Sequence, residues 1–141
     1  MPYSGRCNCG AVSAEMNGEP AATRQCWCRQ CQKAAAGGPT NNAMFHTDDV
    51  QLWGILGKWS YLAPSGNTLT MGFCTQCGTQ VYAQSSARPQ FMTFRIGFLD
   101  EPHGLAPKAA IWTSEAPAWA KIDPEMESWP EQPPAPSQPA S

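Results

Sequence analysis

Seven cysteines fall into three short clusters: Cys7 and Cys9, then Cys26, Cys28 and Cys31, then Cys74 and Cys77. An odd number leaves one over in any complete disulfide scheme. Met1 to Arg6 offers no apolar leader, and no apolar run approaches the roughly 20 residues a membrane helix needs. The expectation is a cytoplasmic chain with no membrane partner. Thiols stay reduced there, so clustered cysteines bind metal more often than they pair.

A structural zinc takes four tetrahedral ligands, usually supplied as two short-spaced pairs from separate parts of a chain. The first and last clusters give such a site from Cys7, Cys9, Cys74 and Cys77. Cys74-Thr75-Gln76-Cys77-Gly78 reads as a zinc knuckle, in which two intervening residues let the chain curl so that both sulfurs face one ion. The glycine that follows takes a backbone conformation closed to other residues. Cys7-Asn8-Cys9-Gly10 is tighter, but side chains two apart on an extended segment point the same way and reach one ion together.

The middle cluster, Cys26-Trp27-Cys28-Arg29-Gln30-Cys31, puts two sulfurs on one side of a strand and a third beyond the turn. It supplies three ligands, so a second zinc here keeps one corner open to water or substrate, as catalytic zinc ions do. The expected cofactor is thus two zinc ions per chain, one structural and one catalytic. His46 or His103 closing the second site would make it structural instead, although neither has a ligand-like spacing. Three ordinary buried cysteines within six residues are the alternative without metal. A redox reading of Cys28-Arg29-Gln30-Cys31 or Cys74-Thr75-Gln76-Cys77 lacks the βαβ context that such pairs occupy.

Around the cysteines, 12 glycines and 14 prolines interrupt short β-branched and aromatic runs, which predicts a mainly β fold of antiparallel sheets. Strands are expected over 11–16, 22–26, 50–53, 59–62, 68–73, 79–83 and 91–96. One short helix is expected over 29–36, stopped by Gly37, Gly38 and Pro39. With 141 residues, 42% of them hydrophobic, the chain has material for one core, so a single domain is expected over 1–130. Residues 131–141 are too poor in apolar surface to offset the entropy of ordering and read as a tail. A net charge of -2 with only 14% charged residues leaves no basic footprint for nucleic acid.

The three motifs in this order resemble the glutathione-dependent formaldehyde-activating enzymes, a family that shares its domain with centromere protein V. The likeness rests on Gly5-Arg6-Cys7-Asn8-Cys9-Gly10-Ala11-Val12, on Cys26-Trp27-Cys28-Arg29-Gln30-Cys31-Gln32-Lys33 and on Gly72-Phe73-Cys74-Thr75-Gln76-Cys77-Gly78-Thr79. Gly97-Phe98-Leu99-Asp100-Glu101-Pro102, Ile111-Trp112 and Trp119 extend it. The resemblance implies an Mss4-like fold with zinc knuckles, the structural zinc on Cys7, Cys9, Cys74 and Cys77, and the catalytic zinc on Cys26, Cys28 and Cys31. It also implies a carbon-sulfur lyase or adduct-forming activity on glutathione, or another small thiol, and an aldehyde such as formaldehyde. Trp27 departs from the family, which often has histidine there, and this bears on substrate detail.

The cations nearest the trio in sequence are Arg24, Arg29 and Lys33, with Arg95 able to arrive from a neighbouring strand. Glu15, Asp48, Asp49, His46 and His103 are the available acids and bases, and none is singled out. A non-catalytic, zinc-stabilised interaction module is the competing function. A methionine sulfoxide reductase would need a free nucleophilic cysteine, and here all seven are taken by metal.

Overall fold

The computed structural model describes residues 2–136. A three-stranded antiparallel sheet is built from β1 (Tyr3–Arg6), β2 (Ser13–Met16) and β5 (Val50–Trp53), with β2 in the middle. The larger sheet contains β3 (Ala22–Cys26), β4 (Thr40–His46), β6 (Leu56–Leu62), β7 (Thr68–Cys74), β8 (Gln80–Ser85), β9 (Phe91–Arg95), β10 (Ala109–Ile111) and β11 (Glu127–Ser128). Its order is β11-β10-β3-β4-β9-β8-β7-β6. One short helix, α1 (Arg29–Ala34), follows β3.

The mainly β architecture and the single helix agree with the sequence reading. The expected 22–26 and 50–53 strands have those bounds. The strand expected from residue 11 begins at Ser13 because Cys7 to Val12 close a turn, with the Cys7 N–H donating to the Val12 carbonyl at 3.0 Å. Four strands were not foreseen: β1, β4, β10 and β11. β4 carries Asn41, Asn42 and His46, residues of low or indifferent strand preference, yet it lies between β3 and β9 in the sheet. The purely antiparallel expectation also needs amending, because β10 pairs parallel with both β3 and β11.

Side-chain alternation gives the large sheet two different faces. Ala43, Phe45 and Phe94 point toward the small sheet and join Val12, Met16, Tyr82 and Phe98 in the main core. Phe94 meets Phe45 edge-on at 6.2 Å and stacks on Phe98 at 5.9 Å. Burying each such side chain contributes about 1.5–3 kcal/mol. The intervening residues face away, and there a smaller cluster gathers Cys26, Cys31, Met71 and Ile111, with Tyr61, Trp112 and Trp129 packed against it.

The tail read from composition is held where it begins. Trp112 Nε1 donates to Gln132 Oε1 at 3.1 Å, Arg88 donates to the Pro133 carbonyl at 3.3 Å, and Pro133 is buried. Backbone contacts to β10 explain this: the Trp129 N–H donates to the Ala110 carbonyl and the Thr113 N–H to the Trp129 carbonyl. The rest of that expectation, residues 137–141, lies outside the described residues.

Candidate metal centres

Two knuckles with matching backbones bring the first cysteine set together. Gly10 and Gly78, at φ 82° and 77°, each donate backward, to the carbonyls of Cys7 and Cys74 at 3.1 and 2.9 Å. This left-handed turn is the conformation glycine adopts without a Cβ penalty. The Sγ atoms of Cys7, Cys9, Cys74 and Cys77 all lie within 4.8 Å of one another. Cys9 Sγ is 3.7 Å from both Cys7 Sγ and Cys74 Sγ. Tetrahedral ligands about 2.3 Å from a zinc ion stand roughly 3.8 Å apart, so the four sulfurs fit that ion and are too far apart for disulfides. Against burial, which opposes it, the Val12 N–H at 3.2 Å favours the Cys7 thiolate, and the Gln76 N–H points at the Cys74 sulfur at 3.4 Å. The Thr79 hydroxyl, 3.2 Å from Cys77 Sγ, heads the causes that bring that thiol down to about 5.

The second set sits on the outward face of the large sheet, at the junction of β3 and α1. Cys26 ends the strand, and Cys28 caps the helix by accepting from the Cys31 N–H at 3.3 Å. The three sulfurs of Cys26, Cys28 and Cys31 again lie within 4.8 Å of one another. Three soft, mutually facing sulfurs suit zinc in the same way. Hydrogen bonds from Cys26 and then Cys28 pull the Cys31 thiol down to about 3, with Arg95 and Thr40 adding and burial opposing. The same sharing, with burial, pushes Cys26 up.

Neither histidine joins the trio. His46 ends β4 about 20 Å beyond Thr40, the residue paired with Cys26, and packs on Phe91. His103 Nδ1 accepts from the Leu105 N–H at 3.0 Å. Among the described residues the metal-ligating groups therefore number four in one centre and three in the other.

Other residues around the trio fall into a wall, a floor and a brace. Tyr61 stacks on Trp59 at 4.8 Å and forms one side. Burial, followed by the nearby thiols, raises its phenol above the ordinary tyrosine range. Trp112 and Trp129 form the other side, Trp112 with a left-handed backbone at φ 55°. Below, Thr40, Asn42 and Arg95 belong to the same sheet face as Cys26. Gln32 braces the helix, donating to the carbonyls of Trp27 at 2.6 Å and Glu115 at 3.0 Å.

The sequence profile of the glutathione-dependent formaldehyde-activating enzyme family matches residues 2–115, which include every cysteine. The chain belongs to this family. A crystal structure of a Rhodobacter sphaeroides protein superimposes with a TM-score of 0.58 at 21% identity, covering 89% of this chain and 98% of that one. That likeness extends to the fold. Curated proteins yield no match. The family match stops at Glu115, and the segment carrying Trp119 and Trp129 lies beyond it.

Of the cations weighed from sequence, Arg95 and Arg24 lie on the trio face. Arg29 instead turns to Gln32 Oε1 at 2.7 Å, and Lys33 lines a shallow cleft at the far end of α1 with Gly37. None of Glu15, Asp48, Asp49 or the histidines approaches the sulfurs as a ligand. Glu115, which no motif signals, reaches α1 and accepts from the Arg29 N–H at 2.9 Å. Thr40, Asn42 and Tyr61 were likewise silent in the sequence, because only strand register brings them beside the trio. No helix among the described residues is long and apolar enough to cross a membrane.

Proposed function

We propose that the chain is a zinc-dependent carbon-sulfur lyase or adduct-forming enzyme that joins glutathione to formaldehyde, or releases it, as S-hydroxymethylglutathione. Membership of the family supports a glutathione-related substrate and an aldehyde. One observation carries the catalytic assignment to Cys26, Cys28 and Cys31: these sulfurs converge as three, whereas Cys7, Cys9, Cys74 and Cys77 converge as four. Zinc on the trio would keep a corner free for the substrate's sulfur and favour its thiolate form. The forming step is balanced without a further reagent. Sulfur bonds to the aldehyde carbon, the carbonyl electron pair moves to oxygen, and that oxygen takes up the proton the thiol released.

The residues around the trio suit this work. Cys31, whose thiol is lowered by hydrogen bonds from Cys26 and Cys28, and Cys28, fixed as the helix cap, hold two sulfurs at defined positions. Tyr61, Trp112 and Trp129 restrict water on either side, which strengthens every polar interaction within. The location we infer is the cytoplasm, where glutathione is abundant and the cysteines stay reduced. Cobalt in place of zinc reports directly on this reading. Glutathione should change the thiolate-to-cobalt absorption of the trio, and an unchanged spectrum would sink direct thiol ligation.

A second reading, an interaction module with two structural metals, draws on the outer strand of the large sheet. β6 lies at the sheet edge, and Ile55, Trp59 and Leu62 on or beside it are 83%, 51% and 73% exposed. Apolar edges of this sort invite pairing with another chain. A catalytic centre predicts that mixed formaldehyde and glutathione exchange faster with the protein present than without it, measured by nuclear magnetic resonance with carbon-13 formaldehyde. Equal rates favour the module.

A further inference from the structure

Arg95, the last residue of β9, is only 6% exposed. Its Nη1 donates to Asn42 Oδ1 at 2.7 Å. Its Nε and Nη2 are also buried, yet among the described residues neither meets an acceptor, and no carboxylate forms an ion pair with the group. Buried charges are normally paired and buried donors normally bonded, since both are costly to strip of water. Two unmet donors on one buried guanidinium therefore mark a place where something outside the chain belongs.

The position and orientation of the group narrow what that is. Nε and Nη2 share one edge of the planar fork, the edge whose two parallel N–H bonds match the two oxygens of a carboxylate. Asn42 fixes the plane by holding Nη1, and is itself fixed, since its Nδ2 donates to Thr40 Oγ1 at 3.0 Å. Thr40 is the strand partner of Cys26. A row of bonded side chains thus runs from the trio's own register position to Arg95 across one face of the sheet. The trio sulfurs do not accept from Nε or Nη2, so the free edge is not consumed by the metal ligands. Arg24, paired with Asn42 on the other side, adds a second cation with an unmet buried Nη1.

We propose that Arg95 is the carboxylate-binding group of the trio centre, so that the centre selects thiols carrying an acid group over neutral thiols of the same size. The proposal rests on the thiol-binding reading above. It assigns the fork edge one carboxylate of the thiol substrate, held bidentately while the sulfur lies at the trio.

The test uses full-length, cobalt-loaded protein titrated with 3-mercaptopropionate and with 3-mercaptopropionamide, which share a chain length and differ in charge. The wild-type protein should bind the acid roughly tenfold tighter or more, the range for charge-assisted bonds. Arg95→Gln should bring that ratio near one. Arg95→Lys, which keeps the charge but loses the fork, should lose much of the preference, while Arg24→Gln should keep most of it. A wild-type ratio near one overturns the proposal, as does an unchanged ratio in Arg95→Gln with full metal content. Should Arg95→Gln fail to fold, the wild-type ratio and Arg95→Lys decide, and a Lys variant with the full preference overturns it. Binding of both thiols without discrimination removes the carboxylate site and leaves thiol ligation standing. If neither thiol alters the cobalt spectrum, both ideas fall together.

Discussion

Sixty-five residues separate Cys9 from Cys74, whose sulfurs lie 3.7 Å apart, whereas Cys26, Cys28 and Cys31 occupy one strand end and one helix start. The first centre draws its pairs from a turn beside the small sheet and from the β7–β8 turn of the large one, so a metal there closes a long loop. The second draws every ligand from a single local turn and closes almost nothing. Loop-closure entropy makes the difference energetic as well as topological. A metal that ties distant segments contributes to folding, while one held by a local turn on the outer face of a sheet is free to serve chemistry.

The largest effect should come from breaking the four-cysteine centre. Structural zinc binds with about 10–16 kcal/mol in small domains, comparable with the whole stability of about 5–15 kcal/mol typical of a protein. Cys74 is almost fully buried, at 1% exposure, and its sulfur also accepts from the Gln76 N–H. Cys74→Ser is expected to abolish the cooperative thermal transition and the retention of metal. A calorimetric scan with a melting point within a few degrees of wild type would show that this centre does not hold the fold.

Cys28→Ser should act in the opposite way. Cys28 caps α1 through its sulfur, and serine is among the preferred caps, so the helix start survives while a soft ligand is lost. The expected outcome is stability within about 1 kcal/mol of wild type, one metal per chain by elemental analysis, and no glutathione-induced change in the cobalt spectrum. Loss of both metals from this variant would mean that the two centres are coupled.

The contrast between the centres was legible early because spacing alone separates a long-range quartet from a local trio. Gly78 was readable for the same reason, as its knuckle requires a left-handed turn after the second cysteine, and Gly10 proves to take the same turn. The floor of the trio was not legible. β4 hides behind Asn41 and Asn42, whose side chains suit turns on their own, and only the register of β4 against β3 and β9 turns Asn42 into the link between Arg24 and Arg95. How the chain runs on after Pro130 was not legible in composition, since Gln132 and Pro133 look like linker. Pro133 nevertheless packs, because Trp129 inserts into the cluster over the trio and the neighbouring carbonyls accept from Trp112, Thr113 and Ser114.

An intermediate effect is expected at Gly72, two residues before the second knuckle begins at Cys74. A Cβ there would fall on the buried ring of Tyr82, and the β7–β8 register shifts between Gly72 and Phe73. Gly72→Ala should cost about 1–3 kcal/mol, the range for overpacking a filled core. Because the strain lies on the strand that delivers Cys74, four-cysteine metal should leave faster under a chelator while the trio's loss rate stays at the wild-type value. Equal acceleration of both phases would place the strain in the whole sheet instead.

Trp119 offers the finest distinction between the centres. It lies beyond the residues the family profile matches and is 64% exposed, yet its ring meets Trp27 edge-on, with centroids 6.3 Å apart. Trp27 stands between Cys26 and Cys28, buried, with its indole N–H bonded to Gln25 Oε1 at 2.9 Å. An edge-to-face aromatic pair contributes about 0.5–1.5 kcal/mol beyond its buried area, so Trp119→Ala should lower the melting temperature only slightly. The consequence should appear at the trio, where a less constrained Trp27 lets Cys26 and Cys28 move relative to each other. Metal release to a chelator should accelerate several-fold in the fast phase assigned to the trio and stay unchanged in the slow phase assigned to Cys7, Cys9, Cys74 and Cys77. An unchanged fast phase would show that the strand end and α1 alone fix the trio, and that the segment after Glu115 contributes packing only.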